Sequence, residues 1–552
     1  MAIFKKAASL ILFLTLVSLS VFALAAGGGG EWKLLHRSVG VSAMHMQLLH
    51  NNKVIIYDRT DFGESKLKLP PGKCRSNDDV LRKDCTAHSL LYDVVSNTYR
   101  PLMVHTDFWC SSGAVMSDGT LIQTGGFHAG DRKIRLFSPC DDDQCDWVEL
   151  QQNLTVPRWY SSDHILPDGR VIIVGGRAEF SYEFIPKNQE SENRVFHFPF
   201  LQETSDPIEE NNLYPFLHLL PDGNLFVFAN QRSVVLDYTN NKILRKFRPI
   251  PGGKRSYPST GSSVMLPLRL NFTGEDASST LPLVEVLVCG GARGGAFFKA
   301  FAGVYVAASE SCGRLRVTDP DPEWVMEIMP MSRVMPDMLL LPTGDVIIIN
   351  GAGKGSAGWD LADGPVLNPV LYRPGEGERF SVLNPTLIPR MYHSSATLLP
   401  DGRILVGGSN PHEKYNFTGV RYPTELSLES FSPPYLASRY NQVRPKILSV
   451  GWPTEGTISY GQKFTISFSM KSPQPAGDLT VTMTAPSFTT HSFAMNQRLL
   501  VLYVEDVQHP SASIYNATVY APPTANIAPS GYYMVAVVHQ GVPSHCTWVR
   551  IK

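Results

Sequence analysis

The apolar and polar positions of this chain repeat one phrase. An apolar strand leads into a turn of the Pro-Asp-Gly type, a second apolar strand follows, and the phrase often closes on Gly-Gly. A degenerate copy runs from His50 to Ile56, and in another the turn is stretched into a loop between Met265 and Val284. The five clear copies have their turns at Ser117-Asp-Gly119, Pro167-Asp-Gly169, Pro221-Asp-Gly223, Pro342-Thr-Gly344 and Pro400-Asp-Gly402. Asp-Gly suits such a turn because a tight hairpin needs positive φ at its centre.

The spacing of these copies predicts an all-β fold with a seven-bladed propeller. Asp118 and Asp168 stand 50 residues apart, and a period of about 50 is that of kelch repeats, with one four-stranded blade per repeat. A single hairpin cannot bury both faces, whereas blades stacked in a ring can. We therefore expect a seven-bladed kelch-type β-propeller over residues 31–440.

A second domain is predicted after Ser432-Pro-Pro434, where the phrase stops. The chain continues with short alternating strands such as Lys463-Phe-Thr-Ile-Ser-Phe468. About 110 residues of this kind are typical of a small β-sandwich. We expect a C-terminal immunoglobulin-like β-sandwich over residues 443–552, separate from the ring and packed on one of its faces.

Composition narrows the class of protein. Of the 552 residues, 43% are hydrophobic and 18% are charged, which favours a folded chain with a real core. The net charge is −1 and no long block of like charge occurs, so we expect no nucleic-acid partner.

The first residues predict export. Lys5 and Lys6 precede an apolar run that ends at Ala23-Leu24-Ala25, a small-residue cleavage pattern. Residues 1–26 are interpreted as a signal peptide, with an uncleaved membrane anchor as the alternative; the run is short for a spanning helix. We expect a secreted monomer in an extracellular, cell-wall or apoplast-type space, with no membrane association after cleavage.

Export also predicts disulfide bonds between cysteines and N-glycosylation of asparagines. Most of the eight cysteines should pair in an oxidising compartment. Close spacing favours Cys74/Cys85 and Cys140/Cys145, and Cys289 and Cys312 could close a third loop. Cys110 and Cys546 remain, and either bond to each other or serve another purpose. N-glycosylation is predicted at four sequons, Asn153, Asn271, Asn416 and Asn516.

The repeat also predicts a site. Eight residues before the turn aspartate, at the start of each inner strand, stand Cys110, Tyr160, Tyr214 and His393, the last with Tyr392 beside it. Equivalent positions in a ring converge on one mouth of the central channel. These side chains could simply fill the channel wall, but a thiol and an imidazole at one register favour a functional site. Tyr392 and His393 would face opposite ways in a regular strand, so both reach one metal only if the strand begins irregularly.

Five short segments carry a resemblance to a known family. They are Phe108-Trp-Cys-Ser-Ser-Gly113, Arg158-Trp-Tyr-Ser-Ser162, Pro389-Arg-Met-Tyr-His-Ser-Ser395, Thr490-His-Ser-Phe-Ala-Met-Asn-Gln-Arg498 and Gly541-Val-Pro-Ser544. In this order and spacing the chain resembles glyoxal oxidase, a copper-radical oxidase related to galactose oxidase, over nearly all of its secreted part.

The resemblance implies a cofactor and roles for individual residues. One copper ion per chain is bound by Tyr160, Tyr392, His393 and His491, and the sandwich domain delivers His491 into the propeller channel. Cys110 is joined to Tyr160 by a thioether, and this ring carries a radical that takes hydrogen from the substrate carbon. Tyr392 accepts the proton. Two imidazoles and two phenolates form a ligand set that suits Cu(II).

One departure bears on the substrate. Galactose oxidase has an indole over the thioether ring, but the stretch after Tyr160 has Arg177, Phe180 and Tyr182 and no tryptophan. We therefore expect oxidation of small aldehydes of the glyoxal and methylglyoxal type, as hydrates, to carboxylic acids, with O2 reduced to hydrogen peroxide. The alternatives are a galactose-oxidase-type alcohol oxidase acting on sugars or cell-wall polysaccharide, and a non-catalytic kelch binding scaffold.

Overall fold

The computed structural model describes residues 28–76, 80–187, 192–271, 281–375, 377–452, 456–471 and 478–552. The predicted signal peptide lies outside these residues. Within them, no helix has the length and hydropathy needed to cross a membrane.

Seven four-stranded blades form a ring, as the repeat predicts. The first strand of each blade in the order below is innermost, since these strands contact one another from blade to blade. From the inside outward the strands are, in blade 1, His45–Leu48, Lys53–Tyr57, Ser89–Asp93 and Thr98–Leu102; in blade 2, Ser112–Val115, Leu121–Thr124, Ile134–Phe137 and Val148–Glu149; in blade 3, Ser162–Ile165, Val171–Val174, Ser181–Ile185 and Phe196–His197; in blade 4, Phe216–Leu219, Leu225–Ala229, Arg232–Asp237 and Lys242–Lys246; in blade 5, Ser262–Met265, Glu285–Cys289, Ser311–Arg316 and Trp324–Ile328; in blade 6, Asp337–Leu340, Val346–Ile349, Val370–Tyr372 and Phe380–Val382; in blade 7, Ser395–Leu398, Ile404–Gly407, Leu428–Ser432 and Glu31–His36.

Blade 7 closes the ring with strands from both ends of the propeller. Its outer strand, Glu31–His36, comes from the beginning of the described chain and pairs antiparallel with Leu428–Ser432. The first and last segments are therefore held by backbone hydrogen bonds, which leaves the ring without an open edge at its seam.

Short elements outside the blades complete the propeller. Within the described residues, two α-helices and three 3₁₀ helices occupy loops, at Pro199–Glu203, Ala296–Phe301, His128–Gly130, Pro434–Leu436 and Ser438–Tyr440. Two small hairpins pair Arg75–Ser76 with Lys83–Asp84 and Ala352–Gly355 with Ala362–Pro365.

The glycines of the repeat have two physical tasks. At the hairpin turn, Gly119 and Gly402 adopt φ of 91° and 86°, and Asp118 Oδ1 accepts a hydrogen bond of 2.9 Å from the Thr120 amide. After the second strand the task is close approach: a Cβ at Gly125 would collide with the carbonyl oxygen of Arg158, just ahead of Tyr160. The Gly-Gly corner thus lets the next blade's entry loop lie against it.

Buried arginines hold these corners together. Five guanidinium groups donate to main-chain carbonyls that follow the second strands: Arg135 to Gly125, Arg158 to Gly175, Arg255 to Gly290, Arg333 to Asn350 and Arg390 to Gly408. Such bonds satisfy carbonyls that the irregular corners would otherwise leave unpaired.

The C-terminal domain is a two-sheet sandwich. One sheet contains Lys446–Gly451, Lys463–Ser469, Ile514–Tyr520 and Val504–Ser511 in spatial order. The other orders Leu268–Arg269, Arg498–Leu502, Leu479–Ala485, Gly531–His539, Thr547–Ile551 and Thr457–Ile458, with Val542–Pro543 paired to Gly531–His539. Its edge strand Leu268–Arg269 comes from the stretched loop of blade 5, so the propeller itself extends this sheet.

The expectation that the sandwich is separate from the ring is wrong in one respect. A hairpin of the C-terminal domain, Phe488–Thr490 and Phe493–Met495, enters the channel and pairs antiparallel with the innermost strand of blade 1. Phe488 and Phe493 are buried there. One hydrophobic cluster consequently runs from the channel into the sandwich.

Six cysteines pair as the spacing predicts. The disulfides are Cys74–Cys85, Cys140–Cys145 and Cys289–Cys312. Cys110 and Cys546 are free thiols and do not bond to each other. Among the sequon asparagines, Asn153 and Asn271 are exposed, and Asn416 and Asn516 are half-buried. Glycosylation itself remains a prediction.

Candidate metal centre

The predicted register has a precise backbone counterpart. In six blades the residue two positions before the innermost strand adopts the left-handed conformation, with φ from 34° to 67°. These residues are Cys110, Tyr160, Tyr214, Thr260, Met335 and His393. Positive φ is uncommon for non-glycine residues and costs free energy, so its repetition shows that the ring imposes this turn. The entry to each blade thus breaks the strand pattern and brings these residues toward the channel.

The break explains how Tyr392 and His393 share one site. His393 has φ of 61°, and the amide of Ser394 donates to the carbonyl of Met391 at 3.1 Å, which makes a turn rather than an extended strand. The Tyr392 and His393 rings stack with centroids 3.9 Å apart. Tyr392 and His393 therefore face the same side of the chain. The sequence analysis required this irregular start of the strand if both residues are to bind one metal ion.

The channel hairpin brings in the fourth predicted ligand. His491 lies at the hairpin tip with φ of 44°, and its Nδ1 is 2.7 Å from the hydroxyl of Thr490. Its Nε2 lies 3.2 Å from Cys110 Sγ. The ligand atoms of Cys110, His393 and His491 all lie within 4.8 Å of one another. Blades 2 and 7 and the sandwich domain therefore meet at one point.

The two predicted phenols are linked by a third that the sequence analysis missed. The hydroxyl of Tyr257 lies 3.3 Å from that of Tyr160 and 2.7 Å from that of Tyr392. Counting eight residues back from a turn aspartate could not find Tyr257, because the turn of its blade is stretched into a loop. Tyr257 also stands three residues before Thr260, the residue of this blade at the common register. The tyrosine in the entry segment of that blade was the only available signal.

Cys110 and Tyr160 are neighbours across two blades. The amide of Tyr160 donates to the carbonyl of Cys110 at 2.9 Å. Tyr214, also predicted at this register, donates from its hydroxyl to the carbonyl of Ser111 at 3.0 Å, and its ring centroid is 5.0 Å from that of His491. Tyr214 therefore supports the wall of the site with its hydroxyl already engaged.

Burial keeps the whole site neutral in the absence of a metal. Desolvation raises the pKa of the Tyr160 and Tyr392 hydroxyls and of the Cys110 thiol well above their ordinary values. It lowers the pKa of His393 and His491 well below the usual range, because a buried imidazolium is costly. Neutral imidazoles are the form that binds a metal, and a bound cation favours deprotonated phenols.

These residues fit a copper ion. Both ring nitrogens of His393 are buried without a hydrogen-bond partner, which a metal bond would satisfy. A cavity of about 10 Å³ adjoins Tyr392, His393 and His491, about the space of one water molecule. Two imidazole nitrogens and two phenol oxygens give the nitrogen–oxygen set that Cu(II) prefers. A larger cavity of about 520 Å³ between blade 5 and the sandwich is lined by none of the predicted ligands.

Aromatic side chains pack beside the Tyr160 ring. The Trp159 ring centroid is 4.8 Å from that of Tyr160, at an interplanar angle of 42°, and Trp109 contacts Trp159 at 4.9 Å. An indole thus reaches Tyr160 from the preceding residue, although none follows it in the sequence. The sequence has Arg177, Phe180 and Tyr182 where a tryptophan was sought. The Arg177 guanidinium carbon lies 5.2 Å from the centroid of the Trp159 ring. Phe180 and Tyr182 instead pack with the apolar cluster of blades 3 and 4.

Comparison with known proteins agrees with this picture. The family model described as glyoxal oxidase N-terminus matches residues 44–435, and the galactose oxidase-like, Early set domain matches residues 444–551. The chain is 45% identical to aldehyde oxidase GLOX1 of Arabidopsis thaliana, over 95% of this chain and 84% of that protein. It is 44% identical to aldehyde oxidase GLOX of Vitis pseudoreticulata, over 95% of this chain and 97% of that protein.

A solved structure shares the fold. It is described as a novel fungal alcohol oxidase with catalytic diversity among the AA5 family, in complex with copper, and superposes with a TM-score of 0.70 at 19% identity, covering 95% of this chain and 99% of that chain. Ring, sandwich and donor set together define the class, a copper-radical oxidase. Within that class the chain belongs to the glyoxal oxidase family. The predictions of fold, family, oxidase function and copper are confirmed at this level.

Proposed function

We propose that this protein is a secreted oxidase that converts small aldehydes to carboxylic acids and reduces O2 to hydrogen peroxide. The observation that carries the proposal is the meeting of Cys110, Tyr160, Tyr392, His393 and His491 from three blades and the sandwich hairpin. The aldehyde preference is supported by the relatives named aldehyde oxidase, which match nearly the whole chain. Secretion is supported by the apolar leader and three disulfides.

In this proposal Tyr160, Tyr392, His393 and His491 hold one copper ion. A bound copper ion supplies one-electron redox capacity, so that the ion and an oxidised Tyr160 ring together accept two electrons. Cys110 forms a thioether with the Tyr160 ring. This reaction removes one hydrogen from the thiol and one from the ring, and O2 accepts both. The sulfur substituent makes the ring easier to oxidise.

The chain's own residues then divide the work. Tyr160 removes hydrogen from the carbon of the aldehyde hydrate, and Tyr392 receives the hydroxyl proton, with Tyr257 hydrogen-bonded to both phenols. The hydrate loses two electrons and two protons to become the acid, and O2 takes up two of each to become hydrogen peroxide. The dry surroundings of the site protect the oxidised ring from solvent.

Substrate preference is tested by peroxide release. Copper-loaded protein is assayed with methylglyoxal, galactose and a polysaccharide hydroxyl donor at equal concentrations. We expect faster initial rates with methylglyoxal. A preference for galactose would favour the alcohol-oxidase alternative, and a chain with neither copper nor peroxide release would be a scaffold.

Two substitutions separate metal binding from ring modification. His491→Ala should lower copper affinity by more than about tenfold and abolish turnover, because it removes one of four ligands. Cys110→Ser should keep copper bound but lose activity, because the thioether cannot form. Metal analysis, intact mass and peroxide release report these effects. After disulfide reduction and deglycosylation, the wild-type chain should be two hydrogen atoms lighter than its mature sequence, whereas Cys110→Ser should match its own sequence. Full activity of Cys110→Ser would contradict the assignment.

A further inference from the structure

Tyr214 stands at the common register of the inner strands, but it is not one of the proposed copper ligands. Its φ of 48° places it in the left-handed turn that it shares with Cys110 and Tyr160. Its amide donates to the Tyr160 carbonyl at 3.0 Å, just as the Tyr160 amide donates to the Cys110 carbonyl at 2.9 Å. The backbone therefore fixes this buried phenol beside the site, although the proposed metal binding makes no use of it.

The Tyr214 side chain contacts two other segments of the site. Its hydroxyl donates to the carbonyl of Ser111, just before the innermost strand of blade 2, at 3.0 Å. Its ring faces the imidazole of His491, with centroids 5.0 Å apart and an interplanar angle of 31°. The Thr490 side chain hydrogen-bonds to the same hydroxyl, which opposes the rise that burial causes in the pKa of Tyr214. Tyr214 therefore joins blade 2 to the hairpin that carries His491.

Thr490 is the residue through which this contact reaches the imidazole. Its hydroxyl lies 2.7 Å from Nδ1 of His491. Thr490 is completely buried, and its strand pairs with the innermost strand of blade 1, so protein groups rather than water satisfy this hydroxyl. A continuous chain of hydrogen bonds thus runs from the imidazole through Thr490 and Tyr214 to the Ser111 carbonyl.

The direction of these hydrogen bonds follows from the last group in the chain. A main-chain carbonyl only accepts, so the single hydroxyl proton of Tyr214 is committed to Ser111. The Tyr214 oxygen then accepts from Thr490, whose single hydroxyl proton is committed in turn. The Thr490 oxygen consequently accepts a hydrogen bond from Nδ1–H of His491. The neutral imidazole therefore carries its proton on Nδ1, which leaves Nε2 with a lone pair.

Nε2 is also the nitrogen that lies beside the other predicted site residues. It is 3.2 Å from Cys110 Sγ. The His491 ring centroid is 4.9 Å from that of His393, at an interplanar angle of 77°. The chain of hydrogen bonds thus leaves the lone pair on the nitrogen that a metal ion in this site would meet.

We propose that Tyr214 and Thr490 form a hydrogen-bond relay from the Ser111 carbonyl, which holds His491 as the Nδ1–H tautomer and presents its Nε2 to the copper ion. Imidazoles that bind metals commonly donate their other N–H to a fixed acceptor, which sets the tautomer and the orientation of the ring. Tyr214 and Thr490 are positioning residues, because they act through His491. This inference rests on the proposed function, since His491 is a copper ligand in that proposal, and it assigns a task to two further residues.

His393 shows by contrast what the relay supplies. Among the described residues, neither ring nitrogen of His393 has a hydrogen-bond partner. Its ring is held by stacking on Tyr392, with centroids 3.9 Å apart, which does not distinguish one nitrogen from the other. Of the two imidazole ligands, His491 is therefore the one whose binding nitrogen is set before copper arrives.

Copper titration of full-length variants tests the relay. Thr490→Val keeps the shape of the side chain but removes the hydroxyl, so copper should bind about tenfold more weakly. Thr490→Ser retains the hydroxyl and should bind copper within about twofold of the wild type. Tyr214→Phe keeps the ring over His491 but removes the middle of the relay, and should weaken binding about three- to fivefold. Thr489→Val is the matched control: its hydroxyl lies 3.1 Å from that of Ser487, and copper affinity should not change.

A spectroscopic measurement distinguishes an altered imidazole from a loosened hairpin. Electron spin echo envelope modulation detects the uncoordinated nitrogen of an imidazole bound to Cu(II), and the quadrupole coupling of that nitrogen depends on its hydrogen bond. Spectra are recorded in a Cys110→Ser background, where no ring radical interferes. Thr490→Val and Tyr214→Phe should change this coupling for one imidazole, whereas Thr490→Ser and Thr489→Val should not. Tyr214→Phe leaves the hairpin sequence intact and decides the question if Thr490→Val does not fold.

Copper binding and aldehyde oxidation can fail independently of each other. If the wild-type protein binds copper but oxidises no aldehyde, while Thr490→Val weakens binding and Thr490→Ser does not, the proposed function fails and the relay stands. If aldehydes are oxidised but Thr490→Val and Tyr214→Phe leave copper affinity and the imidazole coupling unchanged, the relay is wrong. Equal weakening by Thr489→Val would also overturn the relay, because the hairpin as a whole would then be responsible. A wild-type chain that binds no copper overturns both.

Discussion

At the scale of single residues, the line of three phenol hydroxyls is the feature that the chemistry depends on most directly. Tyr257 lies between Tyr160 and Tyr392, and burial raises the pKa of all three. Tyr257 is not a predicted ligand, so its hydroxyl is free to orient the hydroxyls on either side. We therefore predict that Tyr257 is a positioning residue for Tyr392, the proposed proton acceptor.

Tyr257→Phe tests that role. Loss of one hydrogen bond to Tyr392 should lower peroxide release about tenfold, with copper content unchanged. The pH profile of kcat should shift as well, since the neighbour that stabilises Tyr392 is gone; a purely structural role would leave that profile in place. Metal analysis and initial rates across pH provide the measurement, and a full wild-type rate would contradict the assignment.

At the scale of elements, the channel hairpin is fastened by the side chains that follow it. Asn496 accepts a hydrogen bond from the Ile165 amide and donates to the Gly113 carbonyl. Gln497 accepts from the Leu340 amide and donates to the Met338 carbonyl. The Arg498 guanidinium donates to the Leu219 carbonyl of blade 4. Three consecutive side chains therefore tie the base of the hairpin to blades 2, 3, 4 and 6.

Gln497→Ala should loosen this attachment. Two buried main-chain groups of blade 6 lose their partners, so the free energy of unfolding should fall by about 1–3 kcal/mol. Copper should bind about tenfold more weakly, because the hairpin that carries His491 is less well held. Denaturant unfolding and copper titration measure the two effects. Gln508→Ala, in an exposed strand of the sandwich, is the control and should change neither.

The innermost strand of blade 6 contains a carboxyl group that makes stability depend on pH. Burial raises the pKa of Asp337 to about 8, and its one hydrogen bond, from the Asn350 amide at 2.7 Å, only partly offsets this. The folded state therefore holds a proton that the unfolded state releases near pH 4. Stability should fall as pH rises from about 4 to about 8.

Asp337→Asn should remove that part of the pH dependence. The difference between the unfolding free energies at pH 5 and pH 8 should shrink by roughly 1–3 kcal/mol, since the amide does not ionise. Asp168→Asn, at an exposed hairpin turn, removes the same charge and serves as control. An unchanged pH dependence in Asp337→Asn would show that this carboxyl does not titrate as burial predicts.

At the scale of the whole molecule, the two domains share one interior. Phe488, Phe493 and Met495 of the sandwich are buried in the same cluster as Tyr160 and Tyr214 of the ring. Conversely, the stretched loop of blade 5 in the propeller contributes the strand Leu268–Arg269 to a sheet of the sandwich. Neither domain therefore completes its own core.

A propeller expressed alone, residues 31–440, should consequently be unstable. Removal of the hairpin leaves the channel with an apolar void, and each large buried side chain that is lost costs about 3–5 kcal/mol. We expect aggregation or a strongly lowered thermal midpoint by size-exclusion chromatography and thermal unfolding. Full-length His491→Ala should stay folded, since the hairpin remains. A stable, monomeric isolated propeller would show that the ring does not need the hairpin.

The sequence alone determined the repeating architecture and most of the chemistry. Hairpin turns, Gly-Gly corners and alternating apolar strands are local patterns, so seven blades, a C-terminal sandwich and three disulfide pairs could be predicted from them. Because the ring repeats its geometry, a fixed distance from each turn also located Cys110, Tyr160 and His393. Family motifs then added His491 and assigned the roles.

Tertiary structure decided what depends on contacts between distant parts of the chain. The left-handed turn at His393, the insertion of the channel hairpin into blade 1, and the place of Tyr257 between two phenols have no local pattern. Each of these features arises because the blades close into a ring. The segments that enter the innermost strands, the channel hairpin of the C-terminal domain and the irregular loops then converge on one axis.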